Sequence, residues 1–90
     1  MTLRLRGVEL AWREIDGEIV AVDTRTSTYL STNSSATALW RALSEGTTRE
    51  ALVDELVARF SIERATAEAD VGVFLGDLSE QGLLVDDEVD

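Results

Sequence analysis

Ninety residues, 44% of them hydrophobic, make one domain with a single small core and leave no room for two. Neither Cys nor His occurs, which excludes a thiolate nucleophile, a disulfide framework, an imidazole base and the usual zinc sites. Eighteen acidic against eight basic residues set a formal charge of −10, which repels phosphate backbones and anionic lipid, so neither nucleic acid nor a membrane is an expected partner.

The opening stretch MTLRLRG is polar and lacks the apolar segment of a signal peptide. Nothing approaches the length of a membrane span, and a cytoplasmic location is the expectation. No repeat or linker divides the chain. Residues 1–90 read as one domain with an ordered core from about residue 7 to about residue 85.

From Val8 onward, Val8, Leu10 and Trp12 alternate with Glu9, Ala11 and Arg13, the period of a strand with one buried face. Asp16-Gly17 predicts a type I′ hairpin, because that turn needs positive φ at both central residues. A second strand follows over Glu18 to Asp23. A two-residue loop sets Ile15 opposite Glu18 and Trp12 opposite Ala21, so Trp12, Ile19 and Ala21 share one face while Val20 and Val22 share the other. Both faces carry apolar groups, and periodicity leaves open which one meets the helices. Asp23 to Thr26 suits a type I turn in which the Asp23 carboxylate bonds the backbone two residues on. The third strand, about Ser27 to Thr32, is the last of a meander and hence an edge. It lacks the Lys, Pro or inward charge that usually protects an edge, so either a helix or another chain covers it.

After the strands the apolar period changes to that of helices. Asn33, Ser34 or Ser35 caps the first, in which Ala36, Leu39, Trp40 and Leu43 form one stripe and Gly46 supplies the stop. Thr47 and Glu50 read as a capping box for the second, whose buried stripe holds Leu52, Leu56 and Phe60 flanked by Val53 and Val57. The third runs from about Glu63 to Gln81. Val71, Phe74, Leu75 and Leu78 make its large apolar face, and Ala65, Ala69, Gly72 and Gly76 make a stripe of small residues that predicts a shallow trough, packed either on a neighbouring helix or on a ligand. Gly82 ends this helix, Leu83 to Val85 fold back on the core, and Asp86 to Asp90 read as a frayed acidic tail. The fold class is therefore α+β: a three-stranded antiparallel meander followed by a three-helix bundle, in a winged helix-turn-helix-like order.

No nucleophile, metal ligand set or glycine-rich phosphate loop accompanies the carboxylates, so pairs such as Asp70 with Asp77 read as surface charge and not as an active site. No cofactor or metal is expected. The winged arrangement often binds DNA, but here the third helix bears Glu63, Glu68, Asp70, Asp77 and Glu80 against one Arg64, which sets like charges against a duplex.

The run Asp23, Arg25, Tyr29, Asn33, Ala36, Leu39, Trp40 and Leu43, followed by Glu45-Gly46 and a second helix, resembles the PqqD-like family of leader-peptide recognition modules in ribosomal peptide biosynthesis. The small stand-alone version of lasso-peptide pathways is the nearest in character, and the likeness covers roughly residues 8–85. Ser27 stands where that family commonly has a turn glycine, and Thr32 where leucine is common. The resemblance implies that a leader peptide adds a strand along Thr28, Tyr29, Leu30 and Ser31. Residues Ala69, Asp70, Val73, Phe74 and Asp77 of the third helix then line its pocket. It further implies two partners, a precursor peptide and a separate leader peptidase, with no chemistry performed by the module itself. Proline at Leu30 would test strand addition if that donor faces the ligand, and a bulky residue at Gly76 would test the trough. The alternative is a structural or interaction domain that homodimerises through the same edge without a peptide.

Overall fold

The computed structural model describes residues 2–87. In chain order its elements are β1 (Thr2–Leu5), β2 (Leu10–Ile15), β3 (Glu18–Asp23), β4 (Thr28–Ser31), α1 (Ser34–Glu45), α2 (Arg49–Phe60), α3 (Arg64–Glu80) and β5 (Leu84–Asp87). The α+β class, the antiparallel β2-β3-β4 meander and the three helices are as the sequence predicts. Two short strands are additions: β1 and β5 pair with each other in a separate two-stranded sheet. Asp86 and Asp87 of the predicted tail belong to β5, while Glu88 to Asp90 lie outside the described residues.

The hairpin turn has Asp16 at φ 51° and Gly17 at φ 81°, the type I′ backbone, and it sets Ile15 opposite Glu18 and Trp12 opposite Ala21. Tertiary packing decides the face that periodicity left open. Ile19 and Ala21 are fully buried against the helices, and Val20 and Val22 point the other way. Trp12, on the inner face, stays partly exposed and meets the buried Trp40 ring edge-on, with centroids 6.0 Å apart. Arg41 of α1 grips the Glu14 carboxylate with two N–H groups, which tethers the hairpin to that helix. This hydrogen bond, together with the guanidinium charge, lowers the Glu14 pKa despite some desolvation.

Asn33 caps α1, its side chain accepting from the Ala36 N–H at 3.0 Å. Thr32 ties β4 to the same cap: its hydroxyl accepts from the Ile19 N–H and bonds the Thr37 hydroxyl at 2.9 Å. The cap of α2 is Thr48, accepting from the Ala51 N–H at 3.1 Å, one residue later than the predicted Thr47 box. Thr47 is instead drawn into backbone bonds with Leu3 in both directions, so a tertiary contact displaces the local preference. Leu52, Val53 and Leu56 form the buried stripe of α2, whereas Phe60 lies at the helix end and is exposed. In α3 the buried residues are Ala67, Val71, Leu75 and Leu78, with Phe74 only partly covered.

The loop between β3 and β4 follows the expected turn chemistry. The Arg25 N–H donates to the Asp23 carboxylate at 3.0 Å, and Ser27 takes the left-handed φ of 57° that a glycine would adopt without strain. Asp23 is 3% exposed. Arg6 donates to it at 2.5 Å and also to the carbonyls of Val8, Glu9 and Gly82. One guanidinium thus joins the N-terminal segment, the β3–β4 turn and the end of α3.

Burial pushes the Asp23 carboxyl up, but the Arg6 hydrogen bond, the Arg25 N–H and the two guanidinium charges outweigh it, and its pKa falls below the ordinary value. A carboxyl whose folded pKa is depressed contributes stability that is fully present above the unfolded pKa, about 3.9. That contribution is lost as pH falls through the lower folded value. Acid titration of folding, followed by circular dichroism, should therefore show a stability loss below about pH 4 that is smaller in Asp23→Asn, the remainder including the Glu14 share.

Candidate functional site: a free sheet edge beside a groove

In the order β2-β3-β4 the outer side of β4 has no strand neighbour among the described residues. Two backbone hydrogen bonds fix which of its groups are free. Thr24 N–H donates to Glu9 C=O, and Thr32 N–H donates to Ile19 C=O. Antiparallel strands alternate between bonded and non-bonded pairs, so Ile19, Ala21 and Asp23 bond toward β4 while Val20 and Val22 bond toward β2. By the register Ala21↔Leu30 and Asp23↔Thr28, Leu30 and Thr28 direct their backbone groups into the sheet. Those of Tyr29 and Ser31 point out from the edge. Sequence reasoning singled out the whole strand; the alternation assigns the outward ladder to two of its residues. A proline at Leu30 would therefore break the internal ladder and does not probe the edge.

Beside this edge runs α3, antiparallel to β4, and between them three depressions form a continuous groove. At the turn end, a space of about 380 Å³ is lined by Arg25, Thr26 and Thr28 against Ser79 to Gly82. In the middle, about 220 Å³ is enclosed by Leu30, Ser31 and Thr32 on one side and Phe74, Asp77 and Leu78 on the other, with Ala36 and Trp40 of α1 as the floor. At the far end, about 400 Å³ lies between Asn33, Ser35 and Ala36 and the α3 residues Asp70, Val73, Phe74 and Asp77. Gln81 lines the first two spaces, and Asn33, Ala36, Phe74 and Asp77 line the last two.

The residues singled out from sequence are distributed along this feature. Thr28, Leu30 and Ser31 line the strand side, and Asp70, Val73, Phe74 and Asp77 line the helix side. The Tyr29 side chain is 76% exposed and lies on the opposite face of the sheet, so at the groove it offers only its backbone. Ala69 is exposed and lines none of the three spaces.

The stripe of small residues is not the trough. A Cβ at Gly72 would meet the Arg49 guanidinium at 3.1 Å, and one at Gly76 would meet nothing within 4 Å. Gly76 faces open space, away from the groove, so a bulky side chain there would not block it. Because a mid-helix glycine costs roughly 1 kcal/mol relative to alanine, Gly76→Ala should stabilise the fold by about 0.5–1 kcal/mol, measured by urea denaturation. Residues that the sequence reading missed include Asn33, Ala36 and Gln81, which line two spaces each. Asn33 and Ala36 were legible only as a cap and a core position.

Charge along the groove is uneven. Asp54 and Glu55 of α2, which line none of the three spaces, pair with Arg64 and Arg59 respectively. The far end of the groove holds Asp70 and Asp77 and no basic side chain. Among the described residues no helix is long and apolar enough to cross a membrane.

The family model of coenzyme PQQ synthesis protein D (PqqD) matches residues 18–84, which spans the meander from β3 through the whole of α3. The chain belongs to the PqqD family. The resemblance carried by Asp23, Tyr29, Asn33 and Trp40 is thereby borne out. Two solved structures are similar to this PqqD-family chain over nearly its full length. One is TbiB1 in complex with the TbiA(beta) leader peptide, at 29% identity and TM-score 0.85, covering 96% of this chain and 99% of that one. The other is lasso peptide synthetase B1 complexed with the leader peptide, at 26% identity and TM-score 0.81, covering 93% and 98%. The comparison with curated proteins gives no match.

Proposed function

We propose that this chain is a non-catalytic recognition module that binds the leader segment of a ribosomally made precursor peptide, of the lasso class, and presents it to a leader peptidase. The observation that carries this reading is the conjunction of outward backbone groups at Tyr29 and Ser31 with a continuous groove along α3. An extended peptide satisfies those groups as a fourth strand, and alternate side chains enter the groove. The middle space, walled by Leu30, Phe74 and Leu78 over Trp40, suits an apolar or aromatic anchor. That both similar structures hold a leader peptide supports the same ligand class here.

Affinity on this reading comes from main-chain bonds and the buried anchor, and charge adds selectivity. Asp70 and Asp77 suit Lys or Arg in the leader segment that passes the far end. The double change Asp70→Lys/Asp77→Lys should weaken a leader carrying basic residues roughly threefold to tenfold at low salt, and the difference should shrink as salt rises.

The deciding experiment is a fluorescence-anisotropy titration of the protein into labelled N-terminal segments of precursors encoded beside its gene. Saturable binding at micromolar affinity or tighter is the expected result. A folded, monodisperse sample that binds none of them would refute leader recognition.

A further inference from the structure

One polar atom of the core has no partner. Trp40 is fully buried, and among the described residues its indole Nε1 is the one buried side-chain nitrogen or oxygen without a hydrogen bond. A buried tryptophan ordinarily finds an acceptor for this N–H, and leaving it unpaired is costly. Trp40 also lines the middle space of the groove, about 220 Å³ between Leu30 and the α3 residues Phe74 and Leu78. The other polar groups around that space are engaged or open to water. The Thr32 hydroxyl bonds the Ile19 N–H and the Thr37 hydroxyl, and the Asn33 side-chain oxygen accepts from Ala36 N–H and the Ser35 hydroxyl. Ser31, Asp77 and Gln81 are exposed at the rim. The space thus joins apolar walls to one unpaired buried donor.

We infer that the Trp40 N–H is a specificity-determining donor: it takes the oxygen of an anchor side chain that is otherwise apolar, a phenol, an aliphatic hydroxyl or an amide. The inference rests on peptide recognition at the groove. Asn33 caps the helix that carries Trp40, and the core packs around the ring, so the donor is in place before a peptide arrives and needs no ordering on binding. Away from water its bond to an oxygen is strong. An apolar pocket alone separates a side chain from its hydroxylated isostere only weakly, whereas a site with a built-in donor rejects the analogue that lacks the acceptor. A hydrocarbon anchor of the same shape would shut the N–H in with nothing to bond. The Trp12 ring, 6.0 Å away between centroids, offers at most a weak N–H to ring contact, which a ligand oxygen replaces.

The test uses the full chain with isotope-labelled tryptophan and the leader segments of the anisotropy titration. The chain has two tryptophans, so NMR resolves two indole N–H signals, and Trp12→Phe identifies the one from Trp40. Saturating leader should move that signal downfield, as an N–H does on gaining an oxygen acceptor. Each oxygen-bearing leader side chain is then replaced by its nearest isostere without the oxygen, Tyr by Phe or Thr by Val. One such change should weaken binding about tenfold or more and cancel the downfield move. Benzothienylalanine in place of Trp40, in the Trp12→Phe background, keeps the shape of the ring and removes the N–H. That protein should bind the native and the altered leader within about twofold of each other. A Trp40 signal that saturating leader leaves in place would overturn the assignment, since the N–H is then held within the protein. So would a leader preference that survives loss of the N–H, or the absence of any oxygen whose removal weakens binding. Failure to bind leader at all would instead refute leader recognition, and this inference with it.

Discussion

Replacing Ser31 with proline should cost at least tenfold in leader affinity while the protein keeps its fold. The Ser31 N–H points out from β4, away from β3, by the alternation that sends Leu30 and Thr32 inward. Proline is tolerated on an edge strand where its missing donor faces solvent, and the residue before it, Leu30, is already extended as the ring requires. The free protein therefore loses little. In the complex a peptide carbonyl is left unpaired, at roughly 1–3 kcal/mol, and the ring occupies space that the incoming strand needs. Leu30→Pro is the contrasting control: it removes a donor of the internal ladder and should lower stability as well as binding. Anisotropy titration together with thermal melting separates the two. Wild-type affinity in a folded Ser31→Pro protein would eliminate β4 as the docking edge.

Truncating the chain to begin at Gly7 should remove much of its stability. Leu3 and Leu5 are 6% and 8% exposed and belong to the core cluster. Burying two leucine side chains contributes about 1.5–3 kcal/mol each, so about 3–6 kcal/mol is lost, against a typical total of roughly 5–15 kcal/mol for a small domain. The truncation also removes the partner strand of β5 and the bonds that Thr47 makes to Leu3. With Arg6 gone, Asp23 keeps only Arg25 beside it in a buried position, and a buried charge stripped of its partner is costly. Urea denaturation of the truncated and full chains gives the comparison. An unchanged midpoint would show that β1 is dispensable to the core.

The fold of this chain was legible in its sequence wherever neighbours in sequence decide the structure. Asp16-Gly17 demands positive φ, Asp23 reaches a backbone N–H two residues away, and Asn33 meets the first free donors of α1. The apolar stripes of α1 and α2 follow from a period of 3.6, and they bury Trp40, Leu43, Leu52 and Leu56 as that period requires. The edge character of β4 follows from its being the last strand of a meander.

Tertiary structure decided the rest, because each remaining question depended on a partner distant in sequence. The sheet could present Ile19 and Ala21 or Val20 and Val22 to the helices, and only the packing of Trp40 and the Glu14–Arg41 tether chose. A four-residue run of alternating leucines and arginines has no local sign of burial, yet Leu3 and Leu5 enter the core because β5, at the other end of the chain, returns beside them. Thr47 yields the cap to Thr48 for the same reason. The rotation of α3 about its axis sends Gly76 to solvent and brings Phe74 and Asp77 to β4. A helix that carries both a large-residue stripe and a small-residue stripe does not say which will face the sheet. The register between β3 and β4, set by the turn with Ser27 in its left-handed conformation, leaves Tyr29 and Ser31 as the residues that can hold an added strand.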